Sequence, residues 1–256
     1  MGRKGASMNE IDLKDVRTFV KENIQKFHQD RLGSLERTDL KELMHKKNPY
    51  LFKARNLTTA HELVTSLLNA KLSASEETIF GGFLEDLAIY VAEKTLNARK
   101  SAASSVDLEY DDNGHFYLMT IKSGLNWGNS NQWKDLVKDL NTAIRVLKQN
   151  SRTKEVTCIL GVCYGKAKRT TRRGIINQIC GQQFWHFISG QNDFYKEIVE
   201  PLGYRAKEHN VAFEKSKASL IQKFVAEFTR DYCDQDGNIL WDEILRFNSR
   251  NLKEGT

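Results

Sequence analysis

The sequence predicts an α/β fold: a central mixed sheet flanked by helices, with additional helices at the N- and C-terminal ends. Three observations carry this expectation. Residues 106–110 and 115–122 read as two short strands, the second rich in aromatic and β-branched residues. They are joined by Asp111-Asp-Asn-Gly114, residue types that tolerate positive φ and bond locally. Residues 131–150 then read as a helix with Trp133, Leu136, Leu140, Ile144 and Leu147 on one stripe. Finally, residues 156–164 (VTCILGVCY) form a continuous apolar run, as in a strand buried on both faces. A helical crossover would place that strand beside the hairpin, giving β-β-α-β order.

The elements before this core are helical. Residues 9–31 carry Ile11, Val16, Phe19, Val20, Ile24 and Phe27 on one stripe. A shorter turn spans 39–45, and Pro49 is expected to end helical structure and leave residues 50–52 extended. Lys46, Lys47, Lys53 and Arg55 flank that aromatic segment, as a solvated rim or as phosphate contacts. Thr59 with Glu62 three residues on has the capping-box spacing for a second helix. Ser75 is expected to cap a further long helix to about residue 98, with Glu76 and Glu77 in its first turn. Phe80-Gly-Gly-Phe83 puts two glycines inside it at about 1 kcal/mol each against alanine, so something must pack closely there.

After the core, residues 179–188 read as a helix with Trp185 packing inward, and 194–202 and 210–232 as further amphipathic helices. Residues 234–243 have several calcium-loop offsets, but Tyr232 stands at the first ligand position. They are read as a turn into a short strand and a final helix.

Bulk properties bound the function. At 256 residues and 40% hydrophobic, the chain can bury a substantial core. A net charge of +6 suits a polyanionic partner and also an ordinary enzyme. Cys158, Cys163, Cys180 and Cys233 form no CxxC pair and read as reduced thiols, with zinc disfavoured. No apolar run approaches membrane-span length and no signal peptide opens the chain, so a cytoplasmic protein without membrane contact is expected.

The chemistry centres on the hairpin. Antiparallel pairing brings Asp107 near Lys122, and strand parity puts Asp107 with Glu109 and Thr120 with Lys122. An acid facing a lysine across a hairpin is commonly a surface pair worth about 0.2–1 kcal/mol. A carboxylate and a lysine at a strand end, running into a glycine-rich loop, can also hold a divalent cation and activate water. Glu85 lies among apolar neighbours in mid-helix, either as an exposed helix acid or as a buried carboxylate with a partner or a cation. The loop SGLNWGNSNQ after Lys122 supplies Asn126, Trp127, Asn129, Asn131 and Gln132 as base-edge or phosphate ligands. Between Gly165 and Gly174, Lys166, Lys168, Arg169, Arg172 and Arg173 form a basic loop, either simply solvated or suited to a nucleic-acid backbone or groove.

Asp107…Thr120-Ile-Lys122 with SGLNWGNSNQ resembles the catalytic core of type II restriction endonucleases of the PD-(D/E)XK superfamily, in a subgroup reading interrupted GG-N-CC-like sites. KNPYLFK (47–53), FGGFLEDLA (80–88) and CGQQFWHFISG (180–190) continuing to EPLG (200–203) extend the resemblance in the same order. It implies a PD-(D/E)XK-like core and site-specific double-strand cleavage of DNA with Mg2+. It also implies a bacterial cytoplasmic restriction system with a cognate DNA methyltransferase as functional partner. Asp107 would be a metal ligand with Glu85 or Glu109, and Lys122 the catalytic cation. The pattern wants an acid at position 120, where this chain has Thr120. Either another acid completes the site or the site has decayed, leaving a non-catalytic nucleic-acid-binding protein. A homodimer is expected, because a symmetric cut needs two sites and no internal repeat supplies the second. The expected domains are a flexible leader (1–7), an N-terminal helical region (8–74), and a catalytic domain with a C-terminal helical extension (75–256).

Overall fold

A computed structural model of the chain describes residues 8–150, 155–167, 170–172 and 174–251. The expected leader, residues 1–7, lies outside them. In chain order the elements begin with α1 (Leu13–Glu36), α2 (Leu40–Lys46), α3 (Pro49–Ala54) and α4 (Ala60–Leu96). The strands β1 (Arg99–Lys100), β2 (Leu108–Asp112) and β3 (His115–Lys122) come next, then α5 (Ser130–Asn150) and β4 (Glu155–Val162). The chain continues through β5 (Thr170–Arg172), β6 (Ile176–Cys180), α6 (Gln182–Ser189), α7 (Phe194–Glu197), α8 (Val199–Leu202), α9 (Ala206–Tyr232) and α10 (Trp241–Ser249). None of these helices is long and apolar enough to cross a membrane.

The chain divides into two compact units, one comprising residues up to Gln25 with Phe80–Tyr204, the other Lys26–Ile79 with the chain from Arg205. The first holds a six-stranded sheet in the order β1-β2-β3-β4-β6-β5. β2 and β3 form the expected antiparallel hairpin, with Asp111 Oδ1 accepting the Gly114 N–H at 2.7 Å in the turn. β3 and β4 run parallel from His115↔Glu155 to Lys122↔Val162, which requires the crossover that α5 provides. β4 pairs with β6 in parallel, so β4 has a partner on each side and is buried over most of its length. One apolar cluster joins α5 to the sheet through Leu136, Leu140, Leu118, Cys158 and Leu160. Trp185 is buried, with its indole N–H donating to the Cys163 carbonyl at 2.8 Å.

The second unit is helical. Leu35, Leu40, Leu63, Leu67, Phe224 and Phe228 lie at the centre of its apolar cluster. The Thr59–Glu62 capping box forms as expected, with the Glu62 N–H on Thr59 Oγ1 and the Thr59 N–H on Glu62 Oε2, both at 3.2 Å.

Four local expectations are corrected. Pro49 starts α3 rather than ending helical structure: Asn48 caps the helix and proline takes the first position, where its missing N–H costs nothing. Ser75 caps no new helix, because α4 runs unbroken from Ala60 to Leu96 and the Ser75 hydroxyl donates back to the Lys71 carbonyl. Residues 179–188 are not one helix, since Ile176–Cys180 is a strand and α6 begins only at Gln182. The segment 194–202 is two one-turn helices.

Candidate active site

The site is built where β3 ends. The ladder stops at Asp107, whose N–H donates to the Met119 carbonyl at 2.9 Å. Two residues further along β3, the acceptor of the Ile121 N–H is the Asp107 carboxylate, at 2.6 Å. Its orientation is therefore fixed by the backbone of the strand carrying Lys122. Glu85 approaches from α4, and its Oε1 accepts the Ser123 N–H at 2.9 Å. Burial pushes the Glu85 carboxyl above its ordinary range; the Lys122 ammonium and the Ser123 N–H oppose this, and the charge of Asp107 adds to it. Glu85 thus feels the charges of both Lys122 and Asp107, at the end of a single strand. The Lys122 ammonium stands 5.8 Å from the Trp127 ring centroid.

Glu109 goes elsewhere. Its carboxylate takes the Arg99 guanidinium at 2.9 Å and the Ser101 hydroxyl at 3.0 Å. Thr120 is 2% exposed, and its hydroxyl donates to the Ser105 carbonyl at 2.6 Å. Beneath the site, the Cys163 thiol donates to the Leu84 carbonyl at 3.7 Å. Burial and the Glu85 charge push its pKa up, so it stays an unreactive thiol.

Gly81 is the close approach that the mid-helix glycines implied. A Cβ there would lie 2.9 Å from Ser123 Oγ, on the residue whose N–H holds Glu85, whereas a Cβ at Gly82 would meet nothing within 4 Å. Gly124 likewise makes room for the Tyr164 ring, 2.6 Å from where its Cβ would be.

The loop amides divide. Asn129 Oδ1 caps α5 by accepting the Asn131 and Gln132 N–H groups, and Gln132 Oε1 accepts the Asn129 N–H at 2.8 Å, a reciprocal box. Those two oxygens are committed to the helix start. Trp127 packs on Trp133 at 4.8 Å between centroids, while Asn126, Asn131 and Lys166 are exposed. Lys168, Arg169 and Arg173 lie outside the described residues; Arg172 ends β5, which pairs with β6. Sequence reasoning missed Ser123 and Ser105, because the Ser123 N–H and the Ser105 carbonyl are backbone groups that no side-chain pattern reveals.

Among the described residues, no group of three or more His, Cys, Asp or Glu side chains could hold a metal ion. The two carboxylates that converge, Asp107 and Glu85, are hard oxygen donors. They fit a magnesium ion, which keeps several waters and takes one or two protein carboxylates together with substrate phosphate oxygens.

A mixed sheet with a β-β-α-β core, flanking helices, and two acids and a lysine at one strand end defines a restriction-endonuclease-like α/β protein. The family model for the type II restriction endonuclease EcoO109I matches residues 14–210, most of the chain. The chain belongs to that family and is a type II restriction endonuclease. Comparison with curated proteins gave no match.

Proposed function

We propose that this enzyme makes sequence-specific double-strand cuts in DNA by magnesium-dependent phosphodiester hydrolysis, at one site per chain formed by Asp107, Glu85 and Lys122. The observation that carries the reading is that the Asp107 and Glu85 carboxylates are held by the Ile121 and Ser123 N–H groups, the two residues flanking Lys122. Asp107 and Glu85 would hold the ion, each fixed by a backbone N–H of the Lys122 strand or its exit. Magnesium, when bound, supplies charge neutralisation at the phosphate and lowers the pKa of water. Lys122 would orient the attacking water and stabilise charge developing on the phosphate oxygens. Glu109 is the weaker ligand candidate, because Arg99 and Ser101 already occupy its carboxylate.

Asn126, Asn131 and Lys166 are exposed around this edge and suit contact with DNA, as do the arginines between 165 and 174. The resemblance over four ordered segments favours an interrupted GG-N-CC-like site. It also favours a bacterial cytoplasmic setting in which a cognate methyltransferase protects the host DNA. A homodimer would supply the two active sites of opposite polarity that a symmetric cut requires.

The test is digestion of plasmid DNA with and without Mg2+, followed by sequencing of the ends. A discrete set of ends is expected. Asp107→Ala and Lys122→Ala should each slow cleavage by about 10²-fold or more while DNA affinity stays within about tenfold. A parent that shifts DNA on a gel but leaves it uncut would overturn the catalytic reading.

A further inference from the structure

Thr120 occupies the position where the superfamily pattern places an acid, and its geometry gives it a different task. The residues leading into β2 are anchored at Ser105, a non-glycine residue with φ of 60°, in the left-handed region that favours glycine. A side chain in that conformation persists only where its surroundings over-determine it. Two hydrogen bonds do so here. The Thr120 hydroxyl donates to the Ser105 carbonyl at 2.6 Å, and the Ser105 hydroxyl donates to Asp139 Oδ2 of α5 at 2.6 Å. Two residues after this clamp comes Asp107, with its carboxylate on the Ile121 N–H. Thr120 and Ile121 are consecutive on β3, so one stretch of strand holds both the backbone approaching Asp107 and the carboxylate itself.

We propose that Thr120 is a positioning residue, whose hydroxyl clamps Ser105 and thereby holds Asp107 in the pose that ligation and cleavage require. The inference rests on the reading of Asp107 as a metal ligand. A buried hydroxyl with its proton on a carbonyl at 2.6 Å is a satisfied, structural donor. A glutamate there would have no proton to give at neutral pH and would leave the Ser105 carbonyl without its partner. On this view the departure at position 120 is an accommodation: with Glu85 supplying the second carboxylate from α4, position 120 serves the placement of the first.

The experiment measures Mn2+ binding to the metal-free protein by electron paramagnetic resonance, together with kcat and KM for plasmid cleavage in Mg2+. The proteins compared are the parent, Thr120→Ser, Thr120→Val, Thr120→Glu, Ser105→Ala and Asp107→Ala. Thr120→Ser keeps the hydroxyl and should match the parent within about threefold. Thr120→Val should lose about tenfold or more in both Mn2+ affinity and kcat, the scale typical of residues that orient metal ligands, with KM for DNA little changed. Ser105→Ala, at an exposed position, removes the second clamp without disturbing the core, and should lose in the same two readouts even where Thr120→Val folds poorly. A valine variant that folds, binds Mn2+ and cuts like the parent would overturn the proposal. So would a Thr120→Glu variant that cuts faster than the parent. If instead Asp107→Ala binds Mn2+ as tightly as the parent, the ligand assignment of Asp107 fails, a result separate from any behaviour of Thr120.

Discussion

Glu85 carries opposed demands. Its carboxylate is held among apolar neighbours on α4, where charge is disfavoured, yet it stands beside Lys122 and Asp107, where a cation would need it. In chelator at neutral pH, Glu85→Gln should therefore melt at a higher temperature than the parent, because the amide oxygen can still accept the Ser123 N–H. Adding Mg2+ should raise the melting temperature of the parent and not that of the variant. Equal responses to Mg2+ would remove Glu85 from the proposed metal site. At this scale the sequence was informative wherever a side chain contradicted its surroundings. The acid in mid-helix is visible in the sequence, and so is the hairpin that carries Asp107 and Lys122, but the register sets Asp107 level with Thr120, two residues short of Lys122. The partners that hold those acids are the Ile121 and Ser123 N–H groups, which carry no sequence signature.

Elements explain what single residues do not. α4 presents its two glycines in different surroundings, and they should respond differently. Gly82→Ala should stabilise the fold by about 1 kcal/mol, since its Cβ would meet nothing within 4 Å and alanine is the better helix former. Gly81→Ala presses on Ser123 and should slow cleavage, with Ser123→Ala in the same chain restoring part of it. Unfolding curves and plasmid digestion of the three variants check this.

A second device lies between α1 and α9, where the rings of His28 and His209 stack at 4.4 Å. Burial first, then His209 and Arg31, push the His28 pKa down to about 4. The folded-state value lies below the ordinary 6.5, so the unfolded chain takes up the proton first. Stability from this site is complete above pH 6.5 and is lost as pH falls towards 4. His28→Phe should flatten that part of the melting-temperature profile, and an unchanged slope would assign the acid sensitivity elsewhere.

The elements also show where sequence reading stopped. The hairpin, crossover helix and buried strand were legible, because their apolar periods are clean and their turns chemically marked. The single long α4 was not: Ser75 with two acids after it looks like a cap, and tertiary burial of Leu72 and Leu84 carries the helix through it. Proline both ends and begins helices, and at Pro49 only the Asn48 cap decides which. β6 was absorbed into the helix after it because its apolar residues fit either period over so short a run.

At the scale of the whole molecule, an enzyme with one site per chain needs a second copy to cut both strands of a symmetric sequence. Sedimentation at micromolar concentration should give a homodimer. A single species near 29 kDa, alone and with cognate DNA, would contradict that. Helices outside the β-β-α-β core are the expected contact, with α9 carrying an exposed Val211. Within each chain, the proposed hydrolytic site is completed by the acid from α4 and not by the acid of β2. The most direct test is the Mg2+-dependent cleavage rate of Glu85→Gln set beside that of Glu109→Gln on the same plasmid. A loss of about 10²-fold or more is expected for Glu85→Gln, and a rate within about threefold of the parent for Glu109→Gln. The reverse order, or an undiminished rate in Glu85→Gln, would contradict it.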